Sequence, residues 1–238
     1  MKIVSLIIGR GGSSLKNKNI LPVHGFPLIQ WSAGAARRSK YINNYFVSSD
    51  DPKILSAVEN MNYSPIVRPA ELSTDTAQSS DAVKHALNYI EAIIGEVDII
   101  VVQHANVGTI SENMIDDCIK ILIENTNASS VIPAHEYSEY HPMRAKKVNK
   151  DGFLESFFND KNISANRQDL PKAVFFDHSF WVLRGRSSVF DTNGQPPWPC
   201  MGSKIIPYIT EGCFDVHTLE DIELTERWIN ENNIPFPS

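Results

Sequence analysis

"LIIGRGGSSLKNKN", residues 6–19, decides how this chain is read. An apolar run that begins at Ile3 stops at Gly9, and a glycine-rich loop follows. A continuous apolar run of this length, ended by glycine, predicts a first strand buried on both faces, as in a parallel sheet. The loop behind it carries Arg10, Lys16 and Lys18. Glycine has no side chain, so the backbone N–H groups of Gly11 and Gly12 can approach an oxyanion closely, and three cations can neutralise several phosphate charges. A triphosphate is the expected ligand; the plainer reading is a solvated turn with incidental lysines. Two familiar phosphate loops fail on spacing. The P-loop needs Gly-Lys-Ser/Thr, but Ser13 and Ser14 follow Gly12. The dinucleotide fingerprint needs a third glycine where Ser14 stands.

Outward from the loop, strand and helix patterns alternate. Residues 27–40 read as a helix, 45–51 as a strand and its exit, with Asp51 capping a helix that has Pro52 at its first position. A short strand is expected at 64–67 and a helix at 78–94. "VDIIVVQ", 97–103, is the strongest strand pattern. Thr109 and Glu112 have the spacing of a capping box for a helix to about residue 124. Strands follow at 129–134, 180–183 and 204–210, and Thr218 is expected to cap a last helix over 219–232. This alternation predicts a mainly parallel sheet with helices on both faces. Residues 136–176 break the pattern. They are polar and aromatic-rich, and are expected to form an insert that covers a substrate or reaches a second subunit, within one domain spanning 1–238.

The chain has 238 residues, 42% hydrophobic and 21% charged, with a formal net charge of -6. That size accommodates one large α/β domain. The acidic balance argues against a general nucleic-acid partner. Three widely spaced cysteines without zinc spacing point to reduced thiols in a cytoplasmic protein. "MKIVSLII" is read as a first core strand rather than a signal peptide, and no apolar run approaches the ~20 residues of a membrane span.

"GRGGSSLKNKNI", "VSSDD", "RPAELSTDTAQSS", "VVQ", "NRQDLP" and "FDVHTLEDIEL" occur in this order. Together they resemble the acylneuraminate cytidylyltransferases, the CMP-sialic acid synthetases, with relatives acting on legionaminic and pseudaminic acids and, further off, Kdo. The resemblance runs over nearly the whole chain. It implies a three-layer α/β/α, Rossmann-like nucleotidyltransferase fold, usually a homodimer with an exchanged arm. The implied reaction joins CTP and a nine-carbon 2-keto sugar acid into CMP-sugar and pyrophosphate, with Mg²⁺ and with Mn²⁺ as an alternative.

Residue by residue, the resemblance implies that Arg10 and Lys18 meet the phosphates and that Asn19 closes the loop, with Gly11, Gly12, Ser13 and Lys16 around them. It places Ser79 near the cytosine and gives Gln103 the reading of the base. It places Arg167, Gln168 and His178 near the sugar, and makes Asp215 a metal ligand. Gln103 also lies at a strand's carboxyl end, where open α/β sheets bind ligands, and its amide suits a cytosine edge. A plainer reading has Gln103 only end its strand and bond nearby backbone. Arg144 and Arg167 are candidate partners for the sugar carboxylate, and Asn106 can bond nucleotide or sugar. Arg68 is read either as holding the "PAEL" turn through Glu71 or Asp75, or as structural.

Four departures stand out. Ser14 and Leu15 occupy places where the family loop carries lysine and glycine. "QHANVGT" replaces "QPTSPLR". His178-Ser179 replaces Asn-Gly. His217 stands in the metal motif "DVHT", where the family has a second aspartate. Three roles are open to His217: metal ligand, pyrophosphate contact, or partner of Asp215. Mg²⁺ prefers hard oxygen, which favours Asp215, CTP phosphates and water as ligands. No residue stands out as a dedicated general base. A Kdo-type or other sugar nucleotidyltransferase, and a nucleotide-binding relative without turnover, are the rival functions.

Overall fold

A computed structural model describes residues 1–12, 15–136, 140–158 and 163–237. Strand β1 (Ile3–Ile8) is buried at every position. After the glycine loop, a small hairpin of β2 (Pro22–Val23) and β3 (Phe26–Pro27) leads into α1 (Leu28–Arg38). Then come β4 (Asn44–Ser49), α2 (Pro52–Ser56), β5 (Ser64–Val67), α3 (Ser79–Ile94), β6 (Ile99–His104), α4 (Glu112–Glu124) and β7 (Ser130–His135). An arm carries a separate hairpin, β8 (Lys146–Val148) with β9 (Leu154–Ser156). The chain finishes with β10 (Phe175–Phe176), β11 (Phe180–Leu183), α5 (Gly185–Val189), β12 (Ile205–Ile209) and α6 (Leu219–Glu231).

The main sheet runs β10-β7-β11-β6-β1-β4-β5, with β12 also paired to β7. The pairs β1–β4, β1–β6, β4–β5 and β7–β12 are parallel, whereas β11 runs antiparallel between β6 and β7. The fold is therefore α/β with a mixed, mainly parallel sheet.

Side-chain alternation explains the three layers. Val4, Leu6 and Ile8 of β1 and Ile100 and Val102 of β6 pack under Val83, Leu87 and Ile90 of α3 and Val189 of α5. On the opposite face, Ile3, Ile99 and Val101 meet Ala35 and Ala36 of α1 and Ile115, Ile119 and Leu122 of α4. Burying each of these Val, Leu and Ile side chains stabilises the fold by about 1.5–3 kcal/mol before chain entropy is charged against it.

The expected caps at Asp51 and Thr218 form. Asp51 Oδ1 accepts from Lys53 N at 2.8 Å, and Thr218 makes a reciprocal capping box with Asp221. The box expected at Thr109 and Glu112 does not. Ser111 caps α4 instead, accepting from Met114 N, while Thr109 Oγ1 accepts from Phe214 N at 3.0 Å. That bond ties the start of α4 to the segment before α6. Among the described residues no helix is long and apolar enough to cross a membrane.

Candidate active site

The carboxyl ends of β1 and β6 open into a cleft of about 280 Å³, where a parallel sheet of this kind binds its ligands. Its floor is the β1 exit. Gly9 passes so close to its neighbours that a Cβ there would lie 2.8 Å from Ala105 Cβ, so the chain turns here only without a side chain. Asn19 is buried and donates from Nδ2 to Arg10 O at 3.0 Å, pinning the two ends of the loop together. Gly11 N donates to Asp50 Oδ1 at 3.1 Å.

Among the described residues three cations line the cleft: Arg10, Lys18 and Arg68. Burial lowers the Lys18 pKa, nearby Arg10 lowers it further, and Asp215 opposes both. Arg68 is 7% exposed and grips β4, donating from Nε to Ser48 Oγ at 3.2 Å and from Nη2 to Ser48 O at 2.7 Å. Burial brings its pKa down to about 10, against the attraction of Asp50. Arg68 does not hold the "PAEL" turn through Glu71 or Asp75. Asp75 pairs with Arg10 instead, Nη1 to Oδ1 at 2.9 Å, and the same nitrogen donates to Thr74 O at 2.8 Å. Opposite this loop, the first turn of α3 brings Ser79 to the cleft wall.

Of the residues expected from the sequence, Arg10, Lys18, Asn19, Ser79 and Asn106 line this one cleft. Asp215 adjoins it: Asn106 Nδ2 donates to Asp215 Oδ1, and a bridge between Val107 and Asp215 fixes the backbone. His217 Nε2 lies 3.2 Å from Asp215 Oδ2. His178 adjoins through His104, whose Nδ1 donates to the His178 carbonyl. Gly11 forms the loop, Gly12 and Lys16 are exposed at its outside, and Ser13 lies outside the described residues.

Gln103 needs correction. It is fully buried on the α1 face, not in the cleft. Its Oε1 accepts from Ser5 Oγ at 2.6 Å, and its Nε2 donates to Ser32 O at 2.6 Å and Ser32 Oγ at 2.9 Å. With those bonds made, it has no free edge for a base. Successive strand residues point to opposite faces, so the cleft receives His104 instead. Arg144, Arg167 and Gln168 stand exposed on the arm and are not among the residues that line the cleft of their own chain.

The sequence reading missed His104, Asp75 and the cleft role of Arg68. A strand apolar on both faces gives no alternation to say which of Gln103 and His104 faces out.

Magnesium takes one or two protein carboxylates and completes its shell with phosphate and water. Asp215 supplies such a hard oxygen beside Lys18. Among the described residues no group of three or more His, Cys, Asp or Glu side chains gathers as a metal site. The donor set thus fits a magnesium shared with a phosphate ligand, and does not fit an all-protein metal cage.

A family model described as "Cytidylyltransferase" matches residues 4–187. The pseudaminic acid cytidylyltransferase of Campylobacter jejuni subsp. jejuni serotype O:23/36 (strain 81-176) is 30% identical over 183 residues, covering 76% of this chain and 78% of that protein. The N-acylneuraminate cytidylyltransferase of Escherichia coli O18:K1:H7 (strain RS218 / NMEC) is 35% identical over 88 residues, 37% of this chain and 21% of that one. Among solved structures, CMP:2-keto-3-deoxy-manno-octonic acid synthetase complexed with CTP superposes with a TM-score of 0.71 at 17% identity, covering 98% of this chain and 100% of that chain.

Proposed function

The chain belongs to the cytidylyltransferase family, and from that premise we propose that it transfers the CMP group of CTP to a nine-carbon 2-keto sugar acid. The observation that carries the reading is the convergence of Arg10, Lys18 and Arg68 on one cleft at the sheet's carboxyl edge. Pseudaminic acid is the first acceptor to try, because the relative alike over three quarters of this chain is named for it.

In this reading the three cations hold the triphosphate, and the α3 start with Ser79 lies toward the base. The acceptor's anomeric hydroxyl forms a bond to the α-phosphorus. The bond from that phosphorus to the α–β bridging oxygen breaks, pyrophosphate leaves with both electrons, and the hydroxyl proton passes to solvent. Positioning and charge stabilisation carry most of the rate. Asp215 would hold Mg²⁺, or Mn²⁺ in its place, with Asn106 and His217 fixing the carboxylate. The ion would supply Lewis-acid polarisation of the phosphoryl oxygens.

The arm supports a homodimer. Val148, Phe153, Leu154 and Phe157 are each more than half exposed, an apolar surface of the kind a partner subunit covers. Arg144, Arg167 and Gln168 ride on that arm, so pairing would bring them to a neighbour's sugar. Cys118, Cys200 and Cys213 are all unpaired, consistent with a cytoplasmic enzyme working where CTP is held.

Pyrophosphate release from CTP, with a panel of pseudaminic, legionaminic, N-acetylneuraminic and Kdo acids, tests the reading. Release with a nine-carbon acid is expected. Turnover with Kdo alone, or with another nucleotide in place of CTP, overturns it.

A further inference from the structure

His104 ends β6 and lines the cleft. Its Nδ1 bonds the carbonyl oxygen of His178. A carbonyl only accepts, so Nδ1 carries the proton, and the neutral ring keeps an unprotonated Nε2. The ring stands edge-on to Trp181, with centroids 4.8 Å apart and planes at 85°, which holds its orientation. None of the described residues bonds Nε2, and the atom is not sealed in the interior. It is a fixed acceptor on a ring that lines the cleft. Burial, the largest influence, lowers the ring's pKa to about 4, so it stays neutral at pH 7, with Asp215 and Lys18 as charged neighbours.

The cations that line the cleft with it are donors. Arg10, Lys18 and Arg68 suit phosphate oxygens. A lone pair among them does not, because a phosphate oxygen at neutral pH has no proton to give it. A hydroxyl has. In the reading above, its neighbours Lys18 and Asp215 mark where transfer occurs, and the hydroxyl that the reaction requires there is the acceptor's own.

We propose that His104 is a catalytic residue that binds the attacking hydroxyl of the sugar acid through Nε2. That hydrogen bond accepts from the hydroxyl and turns an oxygen lone pair toward the α-phosphorus; as the oxygen–phosphorus bond forms, the proton leaves along it, through Nε2, to solvent. The inference rests on the cytidylyl-transfer reading above. Asp215, the carboxylate beside it, is engaged by Asn106 and His217.

Two variants test it. His104→Phe keeps a ring against Trp181 and removes the acceptor. His104→Gln places an amide oxygen near the Nε2 position. His104→Phe should lower kcat/KM for the acid by about 10- to 100-fold, the scale of one lost hydrogen bond in a buried site, while CTP binding stays within about twofold. His104→Gln should recover about tenfold of that loss. A His104→Phe enzyme within about threefold of wild type overturns the proposal, and so does a variant that loses CTP binding as much as turnover. Calorimetric titration of the acid into CMP-loaded wild type and His104→Phe reads the contact without turnover. Weaker acid binding in the variant supports His104, and equal binding overturns it. Wild type that binds acid and CTP yet releases no pyrophosphate contradicts the transfer reading alone.

Discussion

Arg10 reaches across the cleft mouth to Asp75, Nη1 to Oδ1 at 2.9 Å, and so joins the phosphate loop to the turn before α3. Asp75 is 92% exposed, and it holds one nitrogen, Nη1, of the guanidinium that the triphosphate reading needs. A ligand phosphate competes with it for that nitrogen. Asp75→Asn should therefore tighten CTP binding by about two- to fivefold, the range an exposed ion pair commands. Isothermal titration at low and at physiological salt checks this. Weaker binding in the variant would mean that Asp75 supports the nucleotide rather than competing for Arg10.

Lys18 is half-buried between Arg10 and Asp215, and makes none of the core contacts that hold the sheet. Lys18→Ala should cut kcat by about 100-fold or more while changing unfolding free energy by less than about 0.5 kcal/mol. Steady-state kinetics beside urea denaturation separates the two. Normal turnover removes Lys18 from the site.

Gln103 ties β1 and β6 to α1 through Ser5 and Ser32. Gln103→Leu strands those buried partners and should cost about 1–3 kcal/mol of stability, with the preference for CTP over UTP unchanged. A variant that keeps its stability but loses its base preference would restore the base-reading role.

Acid should weaken the fold through His104 and His178, whose pKa values are both lowered chiefly by burial. Below the ordinary histidine value the unfolded chain takes up protons that the folded one refuses, so stability falls with pH. For His104 the window runs from its usual value of 6.5 down to about 4, and its contribution is intact above 6.5. Urea midpoints should drop from pH 7 to pH 5, and His104→Gln should flatten part of that slope. An unchanged slope in the variant would assign the acid sensitivity to other groups.

Much of this was legible in the residues. The apolar run into Gly9, the alternation of elements, and the Asp51 and Thr218 caps depend on local pattern, and each appears near its expected place. What was not legible depended on facing and on distance. β6 is apolar on both sides, so its period of two is silent, and nothing in it says that His104 rather than Gln103 faces the cleft. Thr109 and Ser111 are both plausible caps, and only the approach of Phe214 from a hundred residues away decides between them. The Arg10–Asp75 pair joins positions 65 residues apart, with nothing in either segment to announce it. Site residues in the loop and at Asn106 and Asp215 came from motifs. Those on the arm, Arg144, Arg167 and Gln168, lie apart from the residues that line the cleft of their own chain.

CMP transfer is read most plainly from its product. Purified protein, CTP, Mg²⁺ and pseudaminic acid should yield a species with the mass of the CMP-linked acid, together with one equivalent of pyrophosphate. Quantitative mass spectrometry and ³¹P NMR would follow both. Intact CTP and unchanged acid, across all the nine-carbon acids, would contradict the account.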